Sequence, residues 1–270
     1  MRYPSTPGSW RLDPLDPRAP TLEQWDAMTP EERAVVVATL PAEPIPLQGM
    51  GEGDVHYEAV EEARWNLRRL FGKRGRSVYI GTGMTVYYPN ESAFSPDVFA
   101  VLDVPTHPRS TWVVAQERRG LDMVIEVHVS GDRRKDTVTN VARYARLGIA
   151  EYFVLQPERS LLLGHRLEGE GGVYVALTPH RGRFTSRVLE LELAFEDGRV
   201  RFYSEGGELP FQQEFIGKLE TAVDGQLSRV AALERELEEE RKAREEERKA
   251  HEDVERLLAE AKAELERLRG

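Results

Sequence analysis

The chain has 270 residues, of which 40% are hydrophobic and 31% are charged, and its formal net charge is −10. This length and apolar content allow one domain of about 150–200 residues with appendages, and the negative charge argues against a surface that binds polyanions without specificity. The absence of cysteine excludes disulfides, thiolate metal sites and a cysteine nucleophile, and agrees with a cytoplasmic location.

The N-terminal segment, residues 1–48, is rich in proline and is predicted to be largely extended or disordered. It lacks the apolar h-region of a secretory signal, and no apolar run in the chain approaches the roughly 20 residues that cross a bilayer. Two short helices are expected within TLEQWDAMTPEERAVVVATLP. Their apolar residues Trp25, Val36 and Leu40 are expected to dock on the main domain.

Residues 49–210 are predicted to form one α/β domain. The domain opens with an amphipathic helix over residues 54–72, with Asp54 as N-cap and Gly72 as C-cap. Three strand-like runs follow, SVYIGTGMTVYYP, PDVFAVLDV and LDMVIEVHV, then the helix DTVTNVARYARLG and the buried strand IAEYFVLQP. Residues 159–203 alternate and turn at Gly-Gly and Asp-Gly, which predicts meandering β-structure. The order of helix, three strands, helix and strand predicts an α/β fold with a mixed sheet and a β-rich extension.

Residues 211–270 are predicted to form a long, coiled-coil helix. This segment has 17 acidic and 12 basic residues and thus half of the net negative charge. Apolar residues fit an a/d heptad frame over residues 216–237 and again over residues 254–268, but the frame is charged or polar at Arg244, Glu247 and His251. A parallel dimer is the expected state, and an antiparallel hairpin or a solitary charged helix are the alternatives.

Two carboxylates, Asp97 and Glu126, fall beside or within the second and third predicted strands. Adjacent strands can bring such acids within a few ångströms of each other, and like charges that close repel unless a cation separates them. A hard divalent ion such as Mg²⁺ (or Mn²⁺) resolves that conflict, and the carbonyl of Val127 would add a third oxygen. The alternatives are turn chemistry at Pro96-Asp97 and a salt bridge from either acid to an arginine.

The strings FSPDVFAVLD, LDMVIEVHVSGD, KDTVTNVARYARLGIAEYFVLQP and GMGEGDVHYEAVEEARWNL together resemble the Uma-type putative restriction endonuclease family of the PD-(D/E)XK nuclease superfamily. The resemblance covers residues 49–195. It implies a restriction-endonuclease-like core in which Asp97 and Glu126 bind magnesium.

The chain departs from this pattern where the superfamily has its catalytic lysine. The position two residues after Glu126 is His128, and the helix position that supplies a lysine in the family is Asn140. The candidates to replace that lysine are His128, which shares a strand face with Glu126, and Lys135. The residues expected to contact substrate are His56, Arg133, Arg134 and Asn140, whereas Tyr144 and Tyr152 are assigned to packing.

Two functions follow from these residues. The first is a Mg²⁺-dependent endonuclease that hydrolyses DNA with a metal-activated water. The second is a catalytically degenerate nuclease-fold protein that acts as a DNA- or protein-binding oligomeric scaffold, which the missing lysine and the acidic surface favour. Self-association is expected through the C-terminal helix in either case.

Overall fold

The computed structural model describes residues 10–43, 53–169 and 172–269 of the chain. Two predictions therefore fall on residues that the structure does not fully describe. They are the disorder of residues 1–9 and 44–48 and the Gly-Gly turn at residues 171–172. The chain divides into two compact units, Met1–Gln212 and Gln213–Gly270. The helices are α1 (Leu22–Ala27), α2 (Pro30–Thr39), α3 (Asp54–Arg74), α4 (Val114–Glu117), α5 (Asn140–Arg146) and α6 (Gln212–Arg269).

Three sheets contain the twelve strands of the described residues. The main sheet has six strands in the order β1 (Val78–Thr82), β3 (Val98–Leu102), β5 (Met123–Val127), β6 (Glu151–Gln156), β7 (Leu161–Leu167) and β8 (Tyr174–Ala176). A four-stranded sheet has the order β12 (Gly207–Glu208), β11 (Arg199–Ser204), β10 (Leu191–Glu196) and β9 (Arg183–Ser186). The short strands β2 (Val86–Tyr87) and β4 (Trp112–Val113) pair with each other.

The main sheet is mixed, as predicted. Strands β5 and β6 run parallel, and every other pair in this sheet is antiparallel. The parallel pair is joined through α5, because a parallel connection needs a crossover element. The predicted order of helix, three strands, helix and strand is confirmed as α3, β1, β3, β5, α5 and β6.

The two faces of the main sheet have separate apolar cores. On one face, residues of α3 and of the four-stranded sheet pack on alternate strand residues; this core includes Leu67, Phe71, Ile125, Phe153, Leu193 and Phe202. On the other face, α5 covers the strands in a core that includes Trp112, Val124, Tyr144, Tyr152 and Val154. Because side chains alternate along a strand, Glu126 of β5 belongs to the face that α5 covers.

Helices α1 and α2 confirm the two short helices expected near the N-terminus. Both begin with a reciprocal capping box, from Thr21 to Gln24 in α1 and from Thr29 to Glu32 in α2. Trp25, Val36 and Leu40 are buried, as expected, in a third apolar cluster with Tyr87 and Val113.

The end positions predicted for α3 are wrong at both termini. The N-cap is Gly53 instead of Asp54, and the helix continues through Gly72 to Arg74. The C-cap is Gly75, at φ 65°, because glycine adopts this left-handed conformation without steric cost.

The predicted helix after β5 begins with a wide turn. Lys135–Thr139 form a π-helical turn, and the α-helical part starts only at Asn140. This turn changes the phase of the apolar face, and Val138 within it is 53% exposed. Such wide turns occur often at functional sites.

The β-rich extension after β6 is confirmed. Strands β10 and β11 form a hairpin whose two turn residues, Asp197 and Gly198, both have positive φ, 52° and 80°. The Asp-Gly pair suits a turn of this kind, which needs two left-handed residues.

The C-terminal unit is almost entirely α6, one uninterrupted helix of 58 residues. The alternative of an antiparallel hairpin within one chain is therefore wrong. Among the described residues, no helix is both long and apolar enough to cross a membrane.

Candidate active site

The pairing of β3 with β5 brings Asp97 and Glu126 together. In this antiparallel pair Val98 lies opposite Ile125, so the next step along the strands sets Asp97 opposite Glu126. The amide of Asp97 donates to Glu126 Oε2 at 3.3 Å, and the amide of Val127 donates to Asp97 Oδ2 at 2.6 Å. The two carboxyl groups thus occupy one location, and within the described part of the chain neither pairs with an arginine or lysine.

Glu126 is buried at this location, with 4% of its surface exposed. Burial raises the pKa of its carboxyl well above the usual range, and the nearby charge of Asp97 raises that pKa further. The Tyr144 hydroxyl, which donates to Glu126 Oε1 at 2.6 Å, opposes the rise but does not cancel it. Negative charge on both of these neighbouring acids is unfavourable, and a cation bound between them would offset the repulsion.

Tyr144 and Tyr152 stack edge to face under the carboxylates, with ring centroids 5.0 Å apart. Burial, followed by the charge of Glu126, raises the pKa of the Tyr144 hydroxyl, so this group keeps its proton and acts as a donor. The hydroxyl of Tyr152 donates to the carbonyl of Asp136 at 2.8 Å. Both rings pack as predicted, but their hydroxyls also connect the site to α5 and to the wide turn before it.

His56 contacts Asp97 from the first turn of α3. Its Nε2 lies 3.1 Å from Asp97 Oδ1, and the His56 side chain is 6% exposed. The structure shows a buried contact that orients the Asp97 carboxylate. The contact of His56 with substrate phosphate stays a prediction.

His128 and Asp136 form a second pair near Glu126. The Nδ1 atom of His128 lies 2.9 Å from Asp136 Oδ2. An ionised carboxylate only accepts hydrogen bonds, so Nδ1 is the donor in this contact, and in a neutral imidazole of this tautomer Nε2 has the lone pair. An imidazole held in this tautomer is equipped to accept a proton from water.

Asn140 lies one turn beyond Asp136 and is buried. Its Nδ2 donates to Asp136 Oδ1 at 3.1 Å. In the structure Asn140 thus contacts the acid that orients His128, and its contact with substrate stays a prediction.

The three consecutive basic residues Arg133, Arg134 and Lys135 are exposed at the start of the wide turn. The positive charge of Lys135 lowers the pKa of Glu126, which places its ammonium group within electrostatic reach of that carboxyl. Arg143 and Arg146 of α5 have a different role, since both pair with Glu91.

The donor set around Asp97 and Glu126 suits a hard cation. Within the described residues no group of three or more His, Cys, Asp or Glu side chains is arranged to hold a metal ion. Mg²⁺ commonly uses only one or two carboxylates and keeps several waters, so two oxygen-bearing side chains fit it. The amide of Val127 already binds Asp97, and a metal contact from its carbonyl stays a prediction.

Sequence reasoning missed Asp136 altogether and gave Tyr144 too small a role. The only sequence signal for Asp136 is an acid followed four residues later by Asn140, a spacing that sets two polar side chains on one helical face. For Tyr144 no local signal exists, because its contact with Glu126 joins α5 to β5 across 18 positions.

A mixed α/β core with two acids that converge from adjacent strands defines this chain as nuclease-like. A family model described as Uma2, putative restriction endonuclease, matches residues 28–200. The chain therefore belongs to this family, and the resemblance inferred from its sequence is confirmed.

One similar solved structure is described as a putative nuclease belonging to DUF820 from Anabaena variabilis ATCC 29413. It is 13% identical in sequence, the match covers 67% of this chain and 97% of that chain, and the TM-score is 0.45. No curated protein matches the chain.

Proposed function

We propose that this chain is a metal-dependent endonuclease that hydrolyses phosphodiester bonds in DNA. The proposal rests on the convergence of Asp97 and Glu126. Each of the two carboxylates accepts a hydrogen bond from a main-chain amide of the neighbouring strand segment. A Mg²⁺ or Mn²⁺ ion held by these two acids would polarise the phosphate and lower the pKa of a bound water.

The remaining residues have separate tasks in this proposal. His128, fixed by Asp136, accepts the proton of the attacking water at Nε2 while the water oxygen bonds to phosphorus and one bridging P–O bond breaks. His56 and Tyr144 are positioning residues, since they hold Asp97 and Glu126. Arg133, Arg134 and Lys135 carry exposed positive charge to which DNA phosphates bind.

The proposal is tested with the purified full chain, supercoiled plasmid and MgCl₂. Asp97→Asn and Glu126→Gln are expected to lose nicking activity on the order of a hundredfold or more, because each removes a metal-binding charge. The matched control is Asp103→Asn, which changes an exposed acid just beyond the other end of β3. Cleavage by the Asp97→Asn and Glu126→Gln variants at the rate of the control, or cleavage that persists in EDTA, contradicts the proposal.

A second experiment separates His128 from Lys135 as the group that replaces the missing lysine. If His128 is the base, His128→Ala lowers the rate by about 10²–10⁴-fold. Lys135→Ala then has a smaller effect, and Lys135→Arg restores it because only the charge is needed. The assignment to His128 is wrong if its alanine variant cleaves at the rate of the natural sequence, or if Lys135→Ala has the larger effect.

The alternative function, a catalytically inactive scaffold that binds DNA or protein, is favoured by one observation. The two positions at which a catalytic lysine is expected hold His128 and Asn140. The side chain of Asn140 donates a hydrogen bond to Asp136. DNA binding without metal-dependent cleavage, in a protein that still self-associates through α6, would support this alternative.

A further inference from the structure

The apolar side chains of α6 have no covering surface in a single copy of the chain. At the a and d positions of the heptad frame, ten such residues are 43–82% exposed in the C-terminal unit. They are Ile216, Leu219, Val223, Val230, Leu233, Leu237, Val254, Leu258, Leu265 and Leu268. Exposed apolar residues in this spacing are typical of a helix that pairs with another helix.

Eight of these positions form two stretches on either side of a charged centre, and Ile216 and Leu219 precede the first stretch. The first seam runs over residues 223–237, with Gln226 at one d position, and the second seam over residues 254–268, 15 residues each. Between them, the charged centre places polar or charged groups at four consecutive a and d positions. These residues are Glu240, Arg244, Glu247 and His251.

A parallel pair of helices would set each residue of the charged centre against its own copy. Glu240 would face Glu240, Arg244 would face Arg244, and Glu247 would face Glu247 in successive layers. Like charges in the interior of a coiled coil are partly removed from water and are strongly unfavourable there. The charged centre therefore disfavours the parallel dimer that the heptad pattern alone suggests.

In an antiparallel pair the a positions of one helix face the d positions of the other, and the same residues become complementary. With Arg244 opposite Glu247 of the second copy, Glu240 falls opposite His251. The symmetry of the pair repeats both contacts. In the same register the first seam of each helix meets the second seam of the other, and Ile216 and Leu219 lie beyond the end of the second helix. The opposed residues are Leu237 and Val254, Leu233 and Leu258, Val230 and Ala261, Gln226 and Leu265, and Val223 and Leu268.

Glu247 is the acid of the charged centre that this register would newly pair. Within one helix Arg244 pairs with Glu240 at 2.7 Å and His251 lies 3.6 Å from Glu255, whereas Glu247 forms no ion pair among the described residues. The antiparallel register supplies Glu247 with Arg244 of the second copy. The exposed flanking charges, such as Arg229 with Glu234, fit a parallel pair, but solvent-exposed pairs of this kind contribute little.

We propose that α6 forms an antiparallel coiled coil with α6 of a second copy, centred between Arg244 and Glu247. This inference concerns the C-terminal unit and holds whether or not the chain cleaves DNA. The partner is a second copy because one helix carries both complementary halves: two apolar seams that meet after reversal and a centre whose charges match only after reversal.

Distance measurements between two spin labels test the orientation. The chain has no cysteine, so Ser228→Cys or Arg256→Cys in the full chain gives one label per copy, in each case on the helix face away from the seams. At 1.5 Å per residue, the antiparallel register predicts label separations of about 50–60 Å at position 228 and about 30–40 Å at position 256. A parallel pair gives about 20 Å or less at both positions, and that result overturns the proposal.

A charge exchange tests the register with the unlabelled full chain. Arg244→Glu sets two glutamates against each other in two layers, so we expect the dimer dissociation constant to rise on the order of tenfold or more. Combining Arg244→Glu with Glu247→Arg restores the opposite charges and should return the constant to that of the natural sequence.

Sedimentation equilibrium provides the measurement, with circular dichroism to confirm that each variant is still helical. In a parallel pair the two variants would behave alike, because every layer keeps like charges. Equal association of the single and double variants, or a monomer at all concentrations, contradicts the antiparallel dimer.

Discussion

Glu126 is the buried acid of the candidate site. Burial and the charge of Asp97 raise the pKa of its carboxyl. Since the folded state binds this proton more tightly than the unfolded state, the stability that Glu126 contributes is fully present below its usual pKa, near 4.5. That contribution is lost as the pH rises through the raised value. In the metal-free protein, Glu126 therefore favours the folded state less at high pH than at low pH.

Glu126→Gln is therefore expected to raise the melting temperature in EDTA at pH 7.5 by about 2–5 °C. Glutamine keeps an acceptor for the Tyr144 hydroxyl but carries no charge to desolvate. The gain should shrink as the pH falls, because Glu126 in the natural sequence becomes protonated and then also carries no charge. Thermal melts across this range provide the measurement, with the exposed Glu168→Gln as control. A variant that melts at or below the natural protein throughout would contradict the raised pKa.

The residues of the site differ in how far the sequence could predict them. Asp97 and Glu126 interrupt apolar strand runs, and a buried carboxylate that needs compensation is visible in the sequence. The partners His56, Asp136 and Tyr144 lie on other elements, and only the packing of α3 and α5 against β5 brings them to the acids. Their contacts with the acids and with His128 depend on tertiary geometry that local patterns do not encode.

At the scale of elements, Glu151 joins the main sheet to the four-stranded sheet. It is buried at the start of β6, accepts from the guanidinium of Arg166 at 2.8 Å and also binds the hydroxyl of Ser186. The amide of Arg187 donates to it at 2.8 Å. A buried acid with this many donors is satisfied, and its role is structural.

Glu151→Ala removes the acceptor of the Arg166 Nε–H and of three further donors: the Ser186 hydroxyl and the amides of Arg187 and Val188. Removal of one partner from a buried pair costs about 3–5 kcal/mol, which for a unit of this size lowers the melting temperature by roughly 10 °C. Chemical denaturation and thermal melts provide the measurement. The exposed Glu158→Ala, just after the same strand, is the control. An equal effect of the two substitutions would show that Glu151 does not join the sheets.

The elements themselves were largely predictable, whereas their ends were not. Period-two patterns and continuous apolar runs identified the strands of the core, and three- and four-residue spacing identified α3 and α6. No local sequence pattern predicts the wide turn at Lys135–Thr139. The turn depends on two tertiary contacts, that of Asp136 with His128 and that of α5 with the sheet. The run SVYIGTGMTVYYP contributes strands to two different sheets, β1 and β2, a choice that depends on long-range partners.

At the scale of the whole molecule, the chain consists of an α/β unit and a helical unit with different tasks. The α/β unit contains every residue of the candidate site, and α6 contains the apolar seams. If α6 pairs as proposed, the first residues of the two helices, Gln212 in each copy, lie about 100 Å apart along the coiled-coil axis. A parallel pair would instead hold them side by side.

The central claim is that Asp97 and Glu126 bind one divalent metal ion between them. The most direct measurement is an anomalous difference map from crystals grown without metal and then soaked in MnCl₂. The account predicts an anomalous peak within coordination distance of both carboxylates, about 2.0–2.4 Å from their oxygens, and no such peak in Asp97→Asn crystals. Crystals without a peak between these two acids at saturating Mn²⁺, or with manganese bound only elsewhere, would contradict it.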